Sequence, residues 1–113
     1  MTIVRDSLKL EELKRMAARM FGDLVKAVVD VERELIAMDA ELHADLEALL
    51  LEDGSEQRSL WGINLYPDLP PNEFIEFDAM INVRPSQANK SRGVEDEAIR
   101  KKIMAIVERR IAR

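Results

Sequence analysis

The stretch VEDEAIRKKIMAIVERRIAR, Val94 to Arg113, places Ala98, Ile99, Ile103, Ile106, Val107 and Ile111 at helical spacing and leaves the opposite side to charged residues. A helix with one apolar stripe is not stable alone in water, so the rest of the chain must supply an apolar surface for it. Asp96 stands where an N-cap belongs, and Arg109, Arg110 and Arg113 complement the negative helix end. A second amphipathic segment, SLKLEELKRMAARMFGD, repeats the demand with Leu10, Leu13, Met16, Ala17 and Met20; Ser7 is its expected N-cap and Gly22 its stop.

The surface these helices need is a sheet. LVKAVVDVE is rich in β-branched residues, with Val25, Ala27, Val29 and Val31 alternating against Lys26, Val28, Asp30 and Glu32. RELIAMDA continues it, and the hairpin is expected to turn near Asp39 and Ala40. ELHADLEALLLEDGS alternates Leu42, Ala44, Leu46, Ala48 and Leu50 with Glu41, His43, Asp45 and Glu47, which reads as a strand, although its composition favours helix. LWGINLYP gives a strand with Trp61, Ile63 and Leu65 inward. FIEFDAMINVRP gives another, with Ile75, Phe77, Ala79, Ile81 and Val83 on one face and Pro85 ending it. The expected fold is therefore α+β: a four-stranded, mostly antiparallel sheet with the N- and C-terminal helices on one face, in the order α-β-β-β-β-α. The second face is expected to be polar and open, or covered by another copy of the chain. The methionines, mostly at core spacing, read as packing.

Residues 1–113 read as a single domain, since 113 residues bury one core but not a second. An apolar fraction of 47% with 35% charged residues excludes a disordered tail, and no apolar run approaches the ~20 residues of a membrane span. The N-terminal residues lack the pattern of a secretory signal. With no cysteine there is no disulfide, thiol nucleophile or thiolate metal site, and a cytoplasmic location fits best. The net charge of -5 is unevenly spread: residues 84–113 carry nine basic and four acidic side chains, residues 1–83 eight and eighteen. If folding keeps these apart, head-to-tail self-association follows; the overall acidity argues against duplex nucleic acid.

The blocks HAD.E, LWG.N and INVRPSQ.N.SR, together with GDLVKAVVDVE, make the chain resemble a family of small uncharacterised proteins of bacteria and archaea, filed as a domain of unknown function. The resemblance covers nearly the whole chain. It implies a single-domain, cytoplasmic, prokaryotic protein and carries no activity, ligand or cofactor, so functional residues rest on chemistry alone.

Three groups qualify. On a strand, His43, Asp45 and Glu47 share a face about 7 Å apart, adjacent pairs can reach a divalent cation, and Asp30, Asn64, Glu76, Asp78 and Asn82 sit where neighbouring strands can assist. On a helix, only His43 and Glu47 share a face. Metal-assisted hydrolysis or acid-base catalysis would use His43, Asp45, Glu47 and Asp78. The loop RPSQANKSRG offers Arg84, Lys90 and Arg92 to an anion or single-stranded RNA, or else ties down its own turn with Asn and Ser, with Arg84 paired to Glu76 or Asp78. Gly62 floors a small pocket rimmed by Asn64, Asp45 and Asp78. No nucleophile elbow surrounds Ser55, Ser59, Ser86 or Ser91. The favoured expectation is a non-enzymatic binding or self-associating module, most simply a homodimer; no cofactor is implied.

Overall fold

A computed structural model describes all 113 residues, Met1–Arg113. In chain order the elements are β1 (Thr2–Val4), β2 (Leu8–Lys9), α1 (Leu10–Arg19), β3 (Val25–Asp30), β4 (Leu35–Met38), α2 (His43–Glu52), β5 (Leu60–Leu65), β6 (Ile75–Glu76), α3 (Glu97–Arg110) and β7 (Ile111–Ala112). The main sheet has five strands, in spatial order β1-β4-β3-β5-β6 with every pair antiparallel. β2 and β7 form a short parallel pair that ties the start of α1 to the end of α3. No helix is long and apolar enough to cross a membrane.

The α+β class and the antiparallel sheet agree with expectation; the details differ. Both amphipathic helices pack on one face: Leu13, Met16 and Ala17 of α1 and Ile103, Ile106 and Val107 of α3 meet Ala27, Val29, Ile36, Met38, Ile63 and Leu65. Asp96 caps α3, accepting from the N–H groups of Ala98 and Ile99. α1 starts later than Ser7 suggests, at Leu10 with no side-chain cap, and Gly22, at φ +93, closes its end with an N–H donated to the Ala17 carbonyl. Trp61 is 2% exposed, as its place among core residues requires, and its indole N–H has no partner.

The second face is not open. The residues from His43 onward form α2 rather than a strand, and its Leu46 and Leu50 cover Val28, Leu35, Ala37 and Leu60. Leu46 and Leu50 satisfy helical and alternating spacing alike, so the period alone did not discriminate. What decided was the apolar second face made by Val28 and Ala37, which needs a cover, together with the helix preference of Glu, Leu and Ala. The hairpin turns at Val31–Glu34, not at Asp39, because Asp30 accepts at one carboxylate oxygen from the N–H groups of Glu32 and Arg33, both 2.9 Å away. The fifth strand, β1, covers the edge of β4.

The segment FIEFDAMINVRP is a strand only at Ile75–Glu76; Met80–Asn82 and Pro85–Gln87 are short 3-10 turns. Its alternation has another origin. Ile75 and Phe77 pack against the core under α1 and α3, whereas Ile81 packs against the core under α2, so the chain crosses the sheet edge from one face to the other. The methionines divide too: Met16 and Met38 are buried, while Met1, Met20, Met80 and Met104 are exposed. Folding brings the two charge blocks into contact at two ion pairs, Arg92 with Asp78 and Arg109 with Glu34.

Candidate functional site

Beyond Glu76 no strand follows the edge of β5, and side chains take its place. The Asn82 carboxamide, fully buried, accepts from the Gly62 N–H at 2.8 Å and donates to the Gly62 carbonyl at 2.9 Å, as a paired residue would. The Arg84 guanidinium donates to the Leu60 carbonyl at 2.7 Å and lies over the Trp61 ring, 4.1 Å from its centroid. Asn89 donates to the carbonyls of Asn82 and Gly93 and accepts from the Glu95 N–H. The INVRPSQ.N.SR block is thus a knot of side-chain amides that fixes the loop and completes the sheet edge.

This knot sets the wall of a cleft. Gly62 faces the loop so closely that a Cβ there would lie 2.4 Å from the Ala79 Cβ and 3.2 Å from both the His43 ring and Ile81. The cleft, about 230 Å³, opens beside that contact, between the first turn of α2, the β3–β5 pair and the loop. Lys26 and Asn64, paired across those strands, stand on its sheet side; His43 comes from the helix; Asp78 and Arg92 from the loop; Leu42 and Met80, 56% and 65% exposed, form an apolar rim.

His43 Nε2 lies 2.8 Å from the Ile63 carbonyl. A carbonyl only accepts, so Nε2 carries the proton and Nδ1 is an acceptor in the neutral ring. Burial pushes the imidazole below the ordinary 6.5, and Lys26 works in the same direction; the Ile63 carbonyl, the Asn64 carboxamide and Asp78 oppose it. Asn64, 7% exposed, donates to Glu76 Oε1 at 2.9 Å and to the Asp78 carbonyl at 3.2 Å, while its own Oδ1 is buried without a partner. Arg92 Nε holds Asp78 Oδ1 at 2.7 Å. A larger hollow of about 490 Å³ between the β3–β4 turn and α3 is ringed by Glu32, Arg58 and Lys102, all exposed and of mixed sign. Ser59 and Trp61, both buried, also line it, but it holds no histidine.

The structure separates most residues that the sequence grouped. His43 enters the cleft, Asp45 faces solvent from the helix, and Glu47 turns inward, where its charge supports that of Arg84 against the burial that pulls Arg84 below the ordinary guanidinium value. No group of three or more His, Asp or Glu side chains is placed to hold a metal ion. Arg84, Lys90 and Arg92 do not converge: Arg84 is buried on carbonyls rather than paired with Glu76 or Asp78, Lys90 is exposed, and Arg92 reaches the cleft through Asp78. Asp30 lies at the other end of β3. Of the pocket expected around Gly62, Asn64 and Asp78 are on its rim and Asp45 is not. Lys26, Leu42 and Met80 were absent from that expectation; the Lys26↔Asn64 register, which only strand pairing fixes, brings in Lys26, and the start of α2 and the loop bring in Leu42 and Met80.

Fold and site together define a small α+β protein with a doubly covered sheet and one partly unsatisfied polar cleft. The chain belongs to the family described as "Protein of unknown function (DUF5674)", whose model matches residues 2–110. No curated protein and no solved structure matches it.

Proposed function

We propose that this protein is a non-enzymatic binding module whose ligand, a small polar molecule, occupies the His43 cleft. The observation that carries the reading is the Asn64 Oδ1 acceptor, buried without a full hydrogen bond in a cleft that His43 also lines. An unmatched buried acceptor costs about 1–3 kcal/mol, which a ligand donor can recover. No serine, threonine or tyrosine lines the cleft, and Asp78 is engaged by Arg92 rather than orienting His43, which favours binding over nucleophilic chemistry. The self-associating form of the expectation rested on an open sheet face, split charge and the lack of a complete catalytic set; α2 occupies that face, which leaves the sheet edges for association.

His43 is the only histidine, so its imidazole proton signals are an unambiguous NMR reporter. A panel of small amines, acids, amides and hydroxy compounds is expected to contain members that shift these signals saturably. No shift from any member at millimolar concentration would overturn the reading.

A further inference from the structure

We infer that the hollow of about 490 Å³ between the β3–β4 turn and α3 is a second binding site, for a small organic carboxylate, independent of the His43 cleft. Trp61 and Ser59, 2% and 5% exposed, line it, and Lys102, Arg58 and Glu32 are its exposed charged groups.

The residues of this hollow carry hydrogen-bond donors that the fold itself does not use. The Trp61 indole N–H is buried without an acceptor, a state that costs about 1–3 kcal/mol. The Arg84 guanidinium, stacked 4.1 Å from the ring centroid, donates to the Gln57 and Leu60 carbonyls, and a guanidinium has no acceptor to offer the indole. Ser59 donates its N–H to the Glu56 carbonyl and accepts at its own carbonyl from Val31, which leaves the hydroxyl as its free polar group. A carboxylate supplies acceptors for both donors. Among the charged groups, Lys102 stands in no ion pair, Arg58 holds Glu56 through Nε, and Glu32 is the one carboxylate, so two positive charges face one negative. That surplus suits a monoanion. A phosphate ester, nearer two negative charges at neutral pH, would call on free backbone N–H groups as well, and at the start of α3 those of Ala98 and Ile99 already donate to Asp96. Val31 and Ile99 give apolar contact for the body of the ligand, and the volume lies within the roughly 300–1,000 Å³ of small-molecule sites.

Trp61 is the only tryptophan, so its emission reports on this hollow as the His43 signals report on the cleft. Titration of the full chain with phenylacetate, phenylacetamide and phenyl phosphate, with both reporters followed, tests the site. Phenylacetate is expected to change Trp61 emission saturably, with half-saturation below roughly 10 mM, and to leave the His43 signals in place. Phenylacetamide, of the same shape without the charge, should bind at least about tenfold more weakly, and phenyl phosphate more weakly than phenylacetate. Lys102→Met should weaken phenylacetate about fivefold and Glu32→Gln should tighten it about threefold; both side chains are exposed, so thermal midpoints should hold within a few degrees. Equal binding of phenylacetamide would overturn the inference, as would tighter binding of phenyl phosphate, no gain from Glu32→Gln, or unchanged emission with phenylacetate at roughly 10 mM. A His43 shift without a change at Trp61 would put the carboxylate in the cleft, which overturns the second site and leaves the reading of the cleft standing.

Discussion

β3 carries a polar group at each end of the same sheet face, and the two ends are finished differently. At Asp30, 0% exposed, one carboxylate oxygen takes the Glu32 and Arg33 N–H groups and the other takes the Ser55 hydroxyl at 2.6 Å. Arg33 extends the network to Ser55 and Asp53, and the guanidinium groups of Arg5 and Arg33 hold the Asp53 carboxyl below its ordinary value. At the Lys26 end, across the strand from Asn64, one buried acceptor is left open and a neutral imidazole stands beside it. α2 spans the two: its C-terminal side closes on Asp30 through Ser55, and its uncapped N-terminal turn opens on the cleft. A saturated cluster holds a fold together, whereas an unsaturated one in a cleft is available to a ligand.

The contrast is broken most severely at Asp30. Asp30→Ala leaves two partly buried backbone N–H groups and a buried serine hydroxyl without their acceptor, and urea denaturation should show a loss of about 3 kcal/mol. A loss below about 1 kcal/mol would mean that the saturated end is not structural. Gly62→Ala, between the two ends, forces a Cβ onto Ala79 and should cost about 2 kcal/mol, read by the same measurement.

His43 sharpens the contrast through pH. Its folded value lies below 6.5, so as pH falls the unfolded chain takes up the proton first. The stability it contributes is therefore complete above that value and lost as pH falls through the lower folded one. Thermal midpoints between about pH 5 and 7.5 should decline toward acid in the native chain, and His43→Gln should flatten that decline. An unchanged slope in the variant would place the acid sensitivity elsewhere. The smallest effect is expected at Arg92→Ala. Its pair with Asp78 is largely exposed, 57% and 41% at the two side chains, so stability should change by no more than about 0.5 kcal/mol. A larger loss would show that the cleft wall, like the Asp30 end, is held by its own bonds.

Particular segments show what was legible. α3 and its Asp96 cap, α1 with its Gly22 stop, and the strand LWGINL could be read because local spacing and capping chemistry fix them without a partner. The His43 segment could not, since Leu46 and Leu50 serve both periods and the choice belonged to the uncovered Val28 and Ala37 across the sheet. FIEFDAMINVRP failed for a related reason: alternation records which side chains find cover, and here the cover lies on two faces reached by one crossing chain. The site was half visible. His43, Asn64, Asp78 and Gly62 were named as candidates, but Asp45 and Glu47 were grouped with His43 by a strand periodicity that a helix breaks.

By itself, then, the sequence determined the amphipathic helices, the β-rich middle and the family, because these depend on residue order over a few turns. Tertiary structure decided which polar residues meet. Lys26 faces Asn64 only through strand register, His43 reaches Ile63 only once α2 lies across the sheet, and Asn82 completes the edge of β5 only because the loop folds back on it. Each is a contact between residues at least twenty positions apart, with the energy of burial and hydrogen bonding, rather than local preference, selecting the partner.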